Sequence, residues 1–322
     1  MAGKPSPEDL IAGVFAGETR AVARMMSAAE AGKPADRAAM AEIYRRAGRA
    51  HLVGLTGVPG SGKSTLVAAL TRAFRAQDRK VGIVAVDPSS PFSGGAILGD
   101  RIRMTDLATD PGVFIRSLAT RGALGGLARA SLDTADILDA AGFDLVLIET
   151  VGVGQDEVDI ASAAHTVIVV SAPGLGDDVQ AIKAGVLEIA DIHVVSKSDR
   201  PDADKTVADL KAMLGLGLTG RDRRGWKVPV IRTSAETGQG IDELAAAVAD
   251  HAAHLEASGE IDERRRLIAE MRVLKTAEDL LRARVDAERH GRLREVLEEA
   301  ADRRIAPHAA ARKLLSDLNI DP

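Results

Sequence analysis

The 322-residue chain contains no cysteine, which excludes disulfides, thiolate metal sites and cysteine nucleophiles. Aromatic residues are scarce, with five Phe, one Trp and one Tyr, so any core must be filled by Ala, Val, Leu and Ile. No apolar run approaches the roughly 20 residues that span a bilayer, and the opening MAGKPSPEDL lacks the apolar segment of a signal peptide. A cytoplasmic protein without a membrane contact is the expectation. The net charge of −5, with both signs interspersed, gives no basic footprint for a nucleic acid. Seven histidines are scattered along the chain, and His251 and His254, one helical turn apart with no third ligand near them in sequence, read as a helix surface rather than a metal site.

What is present is centred on HLVGLTGVPGSGKSTL, residues 51–66. An apolar strand leads into Gly57-Val58-Pro59-Gly60-Ser61-Gly62-Lys63-Ser64, which meets the G-x-x-x-x-G-K-[ST] pattern of a phosphate loop, and a helix-compatible run follows. Glycines at 57, 60 and 62 let successive N–H groups turn toward a β-phosphate at the positive end of that helix. Lys63 is then placed to reach the β- and γ-phosphates and Ser64 to ligate Mg²⁺. Thr65 offers a second hydroxyl should the register slip by one.

Before the loop, residues 8–48 repeat apolar positions at three- and four-residue steps, broken by Gly-Lys-Pro at 32–34, and predict a helical N-terminal extension over 1–50. From 51 to 252 apolar strands alternate with helices. Candidate strands at 80–87, 113–117, 143–150, 166–172, 192–196 and 228–233 are nearly continuous β-branched and Leu runs, as in strands buried on both faces. The fold class is therefore α/β, a mostly parallel sheet with helices on both faces, whose ligands sit beyond the carboxyl ends of the strands. From 253 to 322 strand signals vanish; residues 261–297 read as one long charged helix and 307–318 as a short one, a helical arm whose apolar stripe suits pairing with a second copy.

Acids stand where a metal would need them. Asp87 closes the second strand and Asp100 lies in the Gly/Ser/Pro-rich stretch behind it; a carboxylate facing a phosphate site is unfavourable unless a cation lies between. Glu149 ends the strand FDLVLIE, with Gly152 three residues on as a backbone donor toward a γ-phosphate and Gln155 as a candidate for orienting water. Ser196-Lys197-Ser198-Asp199 follows another strand. A carboxylate at Asp199 accepts both the N1–H and the 2-amino hydrogens of guanine, whereas adenine offers no such pair; Ser234 and Ala235, beyond the strand VPVIRTSA, form a further base-side element.

Together GVPGSGKST, VDPSS, GGAILGDRIRM, ETVGVGQDE, GLGDDVQAIKAGVLEIAD and SKSD resemble the MeaB/ArgK-type (MMAA-like) P-loop GTPases of the signal-recognition and MinD-like class. The resemblance implies a homodimeric GTPase using GTP/GDP and Mg²⁺. It also implies a partner, an adenosylcobalamin-dependent acyl-CoA mutase, with methylmalonyl-CoA mutase the usual one, to which cofactor delivery is gated. On that basis Lys63 and Ser64 serve phosphate and metal, Asp87, Asp100 and Glu149 surround the metal, and Lys197 and Asp199 meet the guanine. Residues 87–104, 151–159 and 174–183 become nucleotide-sensing switches. The family pattern has Asn at 196 and Ala at 198, and the shorter Ser196 hydroxyl is expected to brace the neighbouring loops less well. Rival readings are an ATPase or kinase serving basic amino-acid transport, a nickel-type GTPase chaperone, which lacks its usual Cys or clustered His here, and a scaffold with nucleotide as a structural plug.

Overall fold

A computed structural model describes residues 6–87, 104, 106–119, 129–150, 159–174, 188–215, 224–288 and 291–318; of Asp87 it describes the backbone alone. The expected sites Asp100, Gly152 and Gln155, and most of the three switch segments, lie outside these residues.

Seven strands form one sheet: β1 (His51–Gly57), β2 (Val81–Asp87), β3 (Val113–Ala119), β4 (Leu145–Glu149), β5 (Thr166–Ser171), β6 (Ile192–Val195) and β7 (Val230–Arg232). Their spatial order is β3-β2-β4-β1-β5-β6-β7, and every pairing is parallel. The six strands β2–β7 lie within a residue or two of their expected bounds, because an apolar run buried on both faces has no solvated position at which to end early.

Alternation within each strand divides the sheet into two faces. Val53, Leu55, Ile83, Leu147, Ile168, Val170 and Val194 enter one core with Leu66, Leu70 and Phe74 of helix α4 (Lys63–Arg75) and with Leu244 and Val248 of a later helix, α7 (Ile241–Ser258). On the other face Gly82 abuts Leu138 of helix α5 (Arg129–Ala140) so closely that a Cβ there would stand 2.6 Å from Leu138 Cδ1.

The N-terminal helices α1 (Pro7–Phe15), α2 (Thr19–Ala31) and α3 (Arg37–Arg46) pack against α5 and one another, with Val14, Met25, Met26 and Ile43 fully buried. Helix α1 begins in a capping box in which Ser6 Oγ accepts from Asp9 N and the Asp9 carboxylate accepts from Ser6 N. Arg116 of β3 ties α2 to the sheet through a 2.8 Å ion pair with Glu30. Helix α6 (Ala203–Gly215), which buries Ala203, Thr206 and Leu210, precedes β7.

The chain divides into two compact units, Met1–Ile268 and Ala269–Pro322. The first ends within α8 (Glu260–Ala287), and the second continues with α9 (Arg292–Ala301) and α10 (Pro307–Asp317). Its small core joins Val285, Leu293, Val296, Ala310, Leu314 and Leu318. The single helix expected over 261–297 is thus two, separated before Gly291, whose φ of −112° and ψ of −118° are not helical. No helix among the described residues is long and apolar enough to cross a membrane.

Candidate nucleotide site

The carboxyl end of β1 runs directly into the phosphate loop. Gly57 takes φ +137°, and a Cβ on it would stand 2.1 Å from Val170 O of β5, so any side chain would push loop and sheet apart. Gly62, at φ +88°, caps the amino end of α4. Lys63 Nζ donates to Gly57 O at 2.8 Å and Val58 O at 3.2 Å, folding the ammonium back over its own loop. Ser61 is fully buried, and its hydroxyl oxygen has no hydrogen-bond partner among the described residues. A buried hydroxyl with a hydrogen left to donate, beside the amino end of α4, suits an anion's oxygens. Val58 is half-buried, while Pro59 and Gly60 face solvent.

Ser64 occupies the first turn of α4, and its hydroxyl donates to Glu149 Oε1 at 2.6 Å; both side chains are buried. Neighbouring parallel strands β1 and β4 bring them together. This pair of hard oxygen ligands, backed by the Thr150–Thr56 hydroxyl contact at 3.1 Å, has the donor chemistry Mg²⁺ takes. Thr65, by contrast, is exposed. Among the described residues no cluster of three His, Asp or Glu could itself hold a metal. The backbone of Asp87 closes β2, one strand beyond Glu149.

Beyond β6, Ser196 and Lys197 reach back to the phosphate loop. Ser196 Oγ lies 2.5 Å from Ser61 O and 3.0 Å from Ser171 O, and Lys197 Nζ donates to Gly60 O at 2.7 Å from a backbone held at φ +53°. The short Ser196 side chain thus touches both the phosphate loop and the end of β5. Asp199 follows on the same turn. A hydrogen bond from Ser234, beyond β7, holds its carboxyl below the usual range, so it is an anion at neutral pH. Ala235 is partly buried against the main core beside Ser234. Gln239, not anticipated, takes a 3.5 Å contact from Ser198 Oγ; the replacement of the expected Ala at 198 by Ser was the available signal.

A correction concerns the histidines. His251 is a buried core residue and not part of a helix surface: its Nδ1 lies 2.7 Å from Thr166 Oγ1, which lies 2.7 Å from His51 Nε2. The ring of His165 lies 5.4 Å from that of His51. Three residues scattered in sequence thus meet at the amino-terminal edge of the sheet, away from the phosphate loop. Burial pushes His51 down to about 4 and both His165 and His251 down to about 3, so none is charged at neutral pH.

Comparison with known proteins agrees with this geometry. The family described as methylmalonyl-CoA mutase-associated GTPase MeaB matches residues 22–290. A Pyrococcus abyssi protein that carries a GTPase designation is 44% identical over 312 residues, covering 97% of this chain and 96% of its own. The GTPase ArgK of Escherichia coli is 38% identical over 253 residues, covering 77% of this chain and 76% of its own. A crystal structure described as an LAO/AO transport system kinase superposes with a TM-score of 0.71 at 27% identity and covers 99% of both chains. With a phosphate loop beyond β1, an acid closing β4 and a carboxylate beyond β6 on one parallel sheet, the chain is a P-loop GTPase of the MeaB family.

Proposed function

We propose that the protein hydrolyses GTP to GDP and phosphate as a slow molecular switch. In this reading it gates adenosylcobalamin delivery to, and protects, a cobalamin-dependent acyl-CoA mutase, methylmalonyl-CoA mutase being the expected client. The family's own designation supports the choice of mutase. The observation that carries the nucleotide half is the contact of Lys197 Nζ with Gly60 O, because it ties the turn bearing Asp199 to the phosphate loop.

In this reading backbone N–H groups of the phosphate loop, Pro59 supplying none, hold the β-phosphate, and Lys63 swings from its loop carbonyls onto the β- and γ-oxygens. Ser64, Asp87, Asp100 and Glu149 would hold Mg²⁺, which when bound neutralises charge on the phosphate oxygens. Asp199 accepts from guanine N1–H and its amino group, with Ser234 orienting the carboxylate and Ala235 and Lys197 flanking the base. Gln155 orients the water that attacks the γ-phosphorus as the bond to the β-bridging oxygen breaks, and Gly152 reports the γ-phosphate to the partner. The segments 87–104, 151–159 and 174–183 are the corresponding switches.

We assign residues 1–50 as the extension, 51–252 as the GTPase domain and 253–322 as a dimerisation arm in a cytoplasmic homodimer. Val273 and Leu280, and Leu274 and Leu281, repeat at seven-residue steps on α8 and are exposed, as a helix pairing with a second copy requires. The test is GTP turnover with and without the holo-mutase of the same organism, together with pull-down by analogue-loaded protein. Stimulated turnover and nucleotide-dependent capture are expected; a rate unchanged by every such mutase removes the chaperone assignment. The name of the LAO/AO kinase relative favours a second reading, an ATP-dependent kinase. Tight ATP binding and phosphate transfer to a protein acceptor would support it, and Asp199 opposes it.

A further inference from the structure

The amino-terminal ends of the strands form the pole of the first unit opposite the phosphate loop. There the carboxyl end of α3, the linker 47–50, the turn before β2 and the turn before β4 surround a cavity of about 480 Å³. That volume accommodates a small metabolite. Its lining combines the guanidinium groups of Arg46, Arg49 and Arg79 with the rings of Phe15 and Phe143.

The acids in this wall are already engaged. Asp139 accepts from the backbone amides of Gly48 at 2.6 Å and Arg49 at 3.0 and 3.2 Å, so its charge fixes the linker. Asp144 accepts from Lys80 N at 2.7 Å and stands 3.9 Å from Arg79 Nε, beyond hydrogen-bond reach. Arg79 keeps only this long ion pair with Asp144 and no hydrogen bond to it. Arg46 lies over the Phe15 ring at 4.3 Å, and the Arg49 guanidinium has no hydrogen-bond or ion-pair partner among the described residues. A further guanidinium, that of Arg265, reaches Gly48 O at 3.4 Å beside them.

Guanidinium forks drawn from two stretches of chain, 46–49 and the turn at Arg79, around one concavity match the oxygens of a phosphate, and aromatic rings beside them match a planar apolar group. A bare apolar ligand would leave the arginines unused, and a bare anion would leave Phe15 and Phe143 unused. We propose that this cavity is a second binding site, independent of the nucleotide site, for a small phosphorylated molecule that carries a planar ring.

The test uses the full chain saturated with GDP and Mg²⁺, so that the phosphate loop is filled, and AMP as the probe in equilibrium dialysis, with adenosine and orthophosphate as its two halves. Saturable AMP binding is expected, with each half binding at least about tenfold more weakly. Arg49→Glu, and separately Arg79→Gln, should weaken AMP by about tenfold or more while GDP affinity stays unchanged. No saturable AMP binding up to millimolar concentration overturns the proposal, as does binding indifferent to both substitutions. Adenosine or orthophosphate binding as tightly as AMP overturns the combined ligand class. Loss of GDP affinity in both variants overturns the independence of the two sites.

Discussion

Arg264 grips Asp191 with both arms of its guanidinium, at 2.7 and 2.8 Å, in the interior of the first unit. Asp191 immediately precedes β6, and Arg264 lies in the first turns of α8, so the pair fastens the start of that helix to the sheet. The same arginine donates to His165 O and Glu260 Oε1, while Asp191 also accepts from Val167 N at 2.9 Å. Burial alone would raise the Asp191 carboxyl, but the hydrogen bonds and charge of Arg264 outweigh it and hold the group below the usual carboxylate range.

Removing one partner of such a pair strands the other charge. Arg264→Met is expected to destabilise the first unit by about 3–5 kcal/mol, and the double variant Arg264→Met/Asp191→Asn by less than the single one. The sole tryptophan, Trp226, donates to Asp191 O at 2.9 Å, so its fluorescence in urea titration reports this region. Equal losses in single and double variants would show that lost packing, and not stranded charge, is responsible.

The histidines make stability depend on pH in a defined direction. The folded values of His51, His165 and His251 lie below the ordinary 6.5, so as pH falls through 6.5 the unfolded chain binds protons before the folded one does. Stability is therefore flat with respect to these groups above about 6.5, and falls from there toward pH 4, each histidine contributing a slope of about 1.4 kcal/mol per pH unit. Asp191 acts in another window, losing its contribution only below the ordinary carboxylate range. Urea midpoints at pH 8, 7, 5.5 and 4.5 check this, and His251→Gln should reduce the slope by about one proton. A midpoint that rises on acidification would contradict the buried, neutral state of these rings.

The strands and the phosphate loop were legible because both are local: a run of apolar residues declares a buried strand, and Gly57 through Ser64 carry their chemistry in eight consecutive positions. The histidine network was not, because His51, His165 and His251 are separated by whole strands and helices and meet only when parallel pairing aligns the starts of β1 and β5 and lays α7 across them. Thr166 joins two of them with one hydroxyl, whose oxygen lies 2.7 Å from a nitrogen of each ring, a role no sequence spacing announces. The break before Gly291 was missed because the apolar periodicity resumes on its far side.

On the nucleotide side, Lys63→Ala is expected to lower GTP turnover by about a hundredfold or more, since Lys63 is the cation that the loop's own sequence supplies to the γ-phosphate charge. The substitution also removes the donations to Gly57 O and Val58 O, so circular dichroism and Trp226 fluorescence must show an intact fold. Turnover that survives would exclude the phosphate-loop mechanism, whereas a wild-type protein that never turns over, even with its partner, would favour nucleotide as a structural plug.

In the proposed guanine site, Asp199→Asn replaces an acceptor of two guanine hydrogens with a group that can donate. GTP affinity should fall by at least about a hundredfold and XTP affinity should rise, because the 2-oxo group of xanthine meets the new amide hydrogen. Direct titration with GTP, XTP and ATP separates the outcomes: unchanged GTP binding would move base recognition away from Asp199.

Ser196 separates bracing from base selection. Its hydroxyl bridges toward Ser61 O at 2.5 Å and Ser171 O at 3.0 Å, joining the phosphate loop to the turn that carries Asp199 without facing the base-side pair of Asp199 and Ser234. Ser196→Ala leaves the Ser61 carbonyl without that donor, at a cost of about 1 kcal/mol, and loosens one loop against the other. GTP and GDP should therefore weaken together, by roughly fivefold, while the GTP-to-XTP preference stays fixed. Ser196→Thr, which keeps the hydroxyl, should restore most of the affinity if its added methyl is accommodated, and Ser196→Asn tests whether an amide can bridge the same two carbonyls. Because the brace acts on both nucleotides and on neither base, a change in the GTP-to-XTP ratio in Ser196→Ala would show that the residue reads the nucleotide and does not merely hold the loops that do.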